Sequence, residues 1–141
     1  MQEKSLDDNG TFVLKLEPGE EVTACLADFA KRHGVGAARF NAIGVLSDVT
    51  WGFYDRELGD YRKTSVREDV EVLSLTGNIT LLDNRPFVHA HVSVAGYDGV
   101  ARGGHLFEAH VWPTLEVMLV AMSRDIARVP DPDMGFALLS I

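Results

Sequence analysis

A chain of 141 residues, 46% of them hydrophobic, is long enough to bury one real core, and its near-zero mean hydropathy is that of an ordinary globular protein. The formal net charge of −8 argues against a free-standing nucleic-acid binder, because phosphate contacts supply most of that affinity and need a basic surface. The single cysteine, Cys25, excludes an internal disulfide framework and a cysteine-built zinc ribbon.

The longest apolar run, Val117 to Met122, is too short to span a bilayer, and no charged-then-apolar leader pattern opens the chain. A cytoplasmic protein of one domain, residues 1–141, is the expectation. Met1 to Gly10 is polar and is expected to fray or trail across the surface. Phe12 to Leu16 alternates apolar and polar positions and predicts a first strand. Glu17-Pro18-Gly19-Glu20 is a turn leading into a helix, in which Val22, Leu26, Phe29 and Ala30 recur at helical spacing. Glu20 and Glu21 suit the positive end of that helix, Lys31, Arg32 and His33 its negative end, and Gly34 its left-handed cap. Cys25 lies near the buried stripe and reads as packing.

From Ala37 onward the pattern is mostly β. Arg39 to Val45, with a kink or bulge at Gly44, and Val49 to Tyr54 predict strands; Asp55 to Asp60 is a hairpin turn and Tyr61 to Val66 its return. Val70 to Leu75 predicts another strand, with Thr76-Gly77-Asn78 as a bulge or turn before Ile79 to Leu82. Asp83-Asn84-Arg85-Pro86 is a loop. Leu106 to Val111 is a strand, Pro113 breaks or bends the path, and Leu115 to Met122 is better read as strand than helix. Arg124 to Gly135 is a loop, and Phe136 to Ile141 closes the chain as a strand. The expected class is α+β: one main helix near the N-terminus on a bent, largely antiparallel sheet or barrel.

The chemistry concentrates in one stretch. Val88 to Ala95 is a β-branched-rich strand, so period-two alternation puts His89, His91 and Ser93 on one face and Val88, Ala90, Val92 and Val94 on the core face. A turn at Tyr97-Asp98-Gly99-Val100 can return the chain and bring His105, after Gly103-Gly104, beside the pair. Glycines there let the backbone approach a neighbouring strand. Three neutral imidazoles from adjacent strands can hold a divalent metal, most plausibly zinc, with the fourth position open. His33 reads as helix-end electrostatics, and parity puts His110 with Leu106 and Glu108, on the face opposite His105. Glu108 is a candidate general base and Arg102 a candidate contact for a small anionic ligand, with Arg85 and Glu71 behind them. There is no P-loop, dinucleotide fingerprint or Ser nucleophile elbow.

At Glu71-Val72-Leu73-Ser74-Leu75-Thr76-Gly77, His89-Ala90-His91-Val92-Ser93 and Gly103-Gly104-His105-Leu106 the chain resembles the PPC domain, "plants and prokaryotes conserved". Glu17-Pro18-Gly19-Glu20, Gly44-Val45-Leu46-Ser47-Asp48 and Thr114-Leu115-Glu116-Val117 extend the resemblance, in order, over nearly the whole length. The resemblance implies an α+β domain that assembles as a homotrimer. In plants this domain follows AT-hook peptides in nuclear DNA-binding proteins; this sequence has no Arg-Gly-Arg-Pro hook, and its N-terminal tail carries only Lys4. The PPC fold is in turn similar to acetolactate decarboxylase, a zinc enzyme using a His-x-His and a later His, which His89, His91 and His105 match by position. Three roles follow as expectations: a trimeric small-molecule-binding or regulatory module with a three-His zinc site, a zinc-dependent lyase or hydrolase on a small carbonyl or carboxylate substrate, or a DNA-binding regulator.

Overall fold

The computed structural model describes residues 1–141 as one helix and nine strands. In chain order these are β1 (Gln2–Ser5), β2 (Thr11–Leu16), α1 (Val22–His33), β3 (Ala38–Asp55), β4 (Asp60–Val66), β5 (Val70–Leu82), β6 (Arg85–Ala95), β7 (Ala101–Ala121), β8 (Ala127–Pro130) and β9 (Ala137–Ser140). The fold is α+β, with every strand pair antiparallel except β5 with β8. β3 pairs with both β5 and β7, and β6 pairs with the same two, so these four strands close into a ring. The expected bend is therefore a partial barrel.

Helix α1 packs on β5, β6 and β7 through its apolar stripe, with Val22, Leu26, Phe29 and Ala30 all fully buried. The Ala24 N–H donates to the Glu21 carboxylate at 2.6 Å, satisfying a free donor of the first turn, and Gly34 ends the helix at φ 63°. The same core cluster includes Leu75, Ile79, Ala90, Val92, Leu115 and Val117 of β5, β6 and β7, each worth about 1.5–3 kcal/mol on burial where the side chain is large. No helix is long and apolar enough to cross a membrane.

Several boundaries differ from expectation, mostly because pairing on both edges carries strands through local breakers. Residues 2–5 do not trail: they pair with β2 as β1, and Glu3 binds Arg32 and His33 of α1. Val70 to Leu82 is one strand, and Thr76-Gly77-Asn78 pairs without a register shift, the bulge lying earlier between Val72 and Ser74. Gly77 serves close packing, since a Cβ there would lie 2.6 Å from the Phe40 ring and closer still to the His89 carbonyl oxygen. The β5–β6 turn is only Asp83-Asn84, both at positive φ, so Arg85 and Pro86 already belong to β6. Leu106 to Met122 is expected as two strands; β7 runs through Pro113 as a single element, its register with β3 shifting between Gly44/Leu115 and Leu46/Val111. The expected bulge at Gly44 is this one. The stretch Arg124 to Gly135 is not wholly loop, because β8 forms within it, parallel to the end of β5.

Candidate metal centre

The β6 alternation is as expected: Ala90, Val92 and Val94 are 2–4% exposed, and the other face carries Phe87, His89, His91 and Ser93. The hairpin at Gly96–Val100 then sets β7 against β6 in a register that places His105 directly opposite His91. Gly103 and Gly104 permit this approach. A Cβ at Gly103 would overlap the Val92 carbonyl oxygen and sit 2.9 Å from the Ser93 Cα; one at Gly104 would lie 2.6 Å from the Gly52 carbonyl oxygen on β3.

The three imidazoles converge. One nitrogen from each of His89, His91 and His105 lies within 4.8 Å of the others, and the ring centroids are 5.1–5.5 Å apart. They line a cavity of about 420 Å³ whose walls are Tyr61, Phe87, Phe107, Phe136, Ala137 and Leu138, with Arg128 among them. Tyr61 lies tilted on His105 at 5.0 Å between centroids, and Phe107 meets His105 edge-on at 4.9 Å.

Burial in this apolar cup disfavours charge on His89 and His105. His105 is pushed down to about 4, chiefly by desolvation and then by the neighbouring His89, His91 and Lys63. His89 is lowered for the same leading reason, with Arg128 and His91 adding to it. Both rings are therefore neutral at pH 7, the form that binds metals. The Nδ1 of His105 is buried with no hydrogen-bond partner, a state costing about 1–3 kcal/mol that a metal–nitrogen bond would relieve. Three imidazole nitrogens without a carboxylate suit zinc, copper, nickel or iron rather than magnesium or calcium. The residues present thus fit a divalent transition metal.

The other candidates lie elsewhere. Arg102 is ion-paired with Asp98 at 2.9 Å in the β6–β7 turn, beside a separate cleft that includes Trp51, Glu68 and Tyr97. Glu108 is exposed, opposite Thr50 in the ladder, and does not line the histidine cavity. Arg85 borders the β5–β6 turn and Glu71 is exposed opposite Val45 and Ala95. His33 packs on Phe29 and bonds Glu3 at 2.7 Å, the helix-end role expected. The parity argument for His110 fails: the ladder shifts between Thr50/Glu108 and Trp51/Leu106, so Leu106 is buried with Ala109 and Val111 while His110 faces outward to Asp48. Of four further cavity residues, two carry a signal in the sequence and two do not. Phe87 and Phe107 stand two positions from a triad histidine and share its face, whereas Tyr61 and Arg128 come from distant segments with no local mark.

A bent sheet closed into a partial ring, one packed helix and a three-imidazole cup define an α+β domain with a metal-competent centre. The chain belongs to the Plants and Prokaryotes Conserved (PCC) domain family, whose model matches residues 4–123. It is 36% identical to a metal-containing protein from Archaeoglobus fulgidus, at TM-score 0.86 with 93% of each chain covered. It is 27% identical to a candidate DNA-binding protein from Bacteroides thetaiotaomicron, at TM-score 0.92 over 99% of this chain and 96% of that one. Acetolactate decarboxylase from Bacillus subtilis shares the fold at TM-score 0.55 and 14% identity, over 88% of this chain and 57% of that one. A curated relative, the bifunctional protein GlmU of Synechococcus, is 31% identical over 133 residues, 92% of this chain; the chain spans only 20% of that protein's length.

Proposed function

We propose that His89, His91 and His105 hold one divalent metal, with zinc the best match to three neutral imidazoles, and that the domain is a small-molecule-binding or regulatory module. The observation that carries this is the convergence of three ring nitrogens within 4.8 Å inside a largely apolar cup. When bound, such a metal supplies a Lewis-acidic position open to a ligand oxygen. The protein's own part is to keep His89 and His105 neutral by burial, orient the three rings by the β6–β7 register and exclude water with Tyr61, Phe87, Phe107 and Phe136. The description of the Archaeoglobus relative as metal-containing supports the reading. Assembly as a homotrimer is part of the proposal, supported by exposed apolar side chains such as Phe53 (74%) and Ile43 (58%).

Metal analysis of protein purified without a histidine tag tests it. About one equivalent of metal per chain is expected in the parent, and none in His89→Ala; a metal-free parent that takes up no added zinc would sink the assignment. Light scattering reads the trimer.

DNA binding is the second reading, favoured by the likeness to the Bacteroides protein, a candidate DNA-binding protein. It predicts an affinity for duplex DNA that falls steeply with salt. A salt-insensitive or absent signal removes it. A zinc-dependent lyase or hydrolase would need an acid or base at the cavity beyond the histidines, and neither Glu108 nor Arg102 lines it.

A further inference from the structure

The cavity holds an uncompensated cation. Arg128 is only 8% exposed, yet every acceptor it meets is neutral: its Nε donates to Thr80 Oγ1 at 2.9 Å, Nη1 to the Ala137 carbonyl at 2.9 Å, and Nη2 to Asn78 Oδ1 at 3.0 Å and His89 Nδ1 at 3.2 Å. Buried guanidinium groups ordinarily meet a carboxylate. No Asp or Glu lines this cavity, although the chain has 21 acidic residues to 13 Lys and Arg. A second cation, Lys63, stands 4.0 Å over the Phe107 ring at the cavity wall. A metal on the triad would add two more positive charges and no negative one.

The donor count points the same way. A guanidinium has five N–H groups and Arg128 makes four bonds, which leaves one on Nη1. The bond to His89 is also unusual for a ligating imidazole, whose second nitrogen ordinarily donates to an acceptor. Arg128 can only donate, so it uses the lone pair of His89 Nδ1. Were His89 to ligate a metal through Nδ1, that lone pair would be taken; were it to ligate through Nε2, Nδ1 would carry the hydrogen and face Arg128 donor to donor. Either way an Nη2 N–H of Arg128 would be freed toward the cavity.

We infer that this cavity takes a small carboxylate with a flat apolar body, its carboxylate held by Arg128 and its body between the aromatic walls. A planar guanidinium matches a carboxylate through paired N–H bonds, and Tyr61, Phe87, Phe107, Phe136 and Leu138 supply an apolar slot rather than further donors. A phosphate is the poorer match, because helix α1, the one element whose N-terminus would favour it, does not reach the cavity. The inference rests on the metal reading only for a second contact to the ligand; the anchoring charge belongs to the chain.

Benzoate, benzamide and inorganic phosphate are the probes, titrated by ¹H–¹⁵N chemical shift into the full-length protein as purified and after chelator treatment. Benzoate is expected to bind at least about tenfold tighter than isosteric benzamide in both forms, with shifts centred on Arg128 and Phe136, a ratio typical of one charge-assisted contact. Arg128→Gln removes that preference. If Arg128→Gln does not fold, Arg128→Lys keeps the cation, and its preference is weakened but retained. Benzamide binding as tightly as benzoate, phosphate binding more tightly than benzoate, or an unchanged preference in Arg128→Gln each overturns the proposal. A benzoate preference in protein that takes up no metal upholds the anchor and rejects the metal reading alone.

Discussion

His91 and His105 stand directly opposite each other in the β6–β7 ladder, with ring centroids 5.5 Å apart, although they lie 14 positions apart in the chain across a Gly-rich turn. Cross-strand neighbours on one face are the closest side-chain pairs a sheet provides. Adding His89 two positions along β6 turns the pair into a triangle. The site is therefore a property of register, and a shift of one residue would turn the histidines of one strand to the opposite face.

Single replacement of His91 or His105 by Ala should remove metal while leaving the fold intact, since His91 is exposed and His105 only half-buried. Zinc affinity is expected to fall by about 100-fold or more, beyond the 10–100-fold typical of losing an outer partner. Competition with a chromogenic chelator reads the affinity, and circular dichroism the fold.

Gly103→Ala should cost about 1–3 kcal/mol, because the new methyl group overlaps the Val92 carbonyl oxygen and forces β6 and β7 apart. Metal affinity should fall with it, as His91 and His105 separate. Gly99→Ala, at the turn with no atom within 4 Å of the new methyl but with φ at +68°, should cost about 1–2 kcal/mol of backbone strain and leave metal affinity unchanged. Urea unfolding of the three proteins, with the same chelator assay, makes the comparison.

Leu26→Ala separates core from site. Leu26 is fully buried on α1, so its truncation should lower stability by about 2–5 kcal/mol while metal stoichiometry stays at the parent value. Denaturant melts alongside metal analysis check both halves.

The Asp48 carboxylate bonds His110 at 2.9 Å and raises the imidazole above its ordinary value, mainly through that hydrogen bond. A raised folded value means the pair's stabilisation is complete below the unfolded pKa of about 6.5 and is lost as pH rises through the folded value. Asp48→Asn should therefore destabilise the protein at about pH 5.5 and converge on the parent at about pH 8.5. Urea midpoints at the two pH values decide it; a difference that grows with pH would reject the pair's role.

Much of this architecture was legible in the chain. Val22, Leu26, Phe29 and Ala30 announced α1 because a helix buries one stripe, and Gly34 announced its end because left-handed backbone favours glycine. Period-two alternation against the valines of β6 puts His89 and His91 on one face. Local breakers misled where neighbouring strands overrode them. Thr76-Gly77-Asn78 and Trp112-Pro113 look like interruptions, yet β5 is paired on both edges through the first, and β7 runs on through the second with only a shift of register against β3. Parity also failed for His110, since a bulge resets the alternation and a bulge leaves no mark in composition.

What the sequence determined by itself was therefore local: the helix, the alternating faces, the two-histidine pair and the glycines that let a third approach. Tertiary structure alone decided the closure of β3, β5, β6 and β7 into a ring, the pairing of His91 with His105, and the delivery of Tyr61 and Arg128 to the same cavity. The physical reason is distance along the chain. Alternation and capping act over a few residues, whereas Arg128 reaches His89 across 39 positions because β8 pairs beside β5, a contact no local preference encodes.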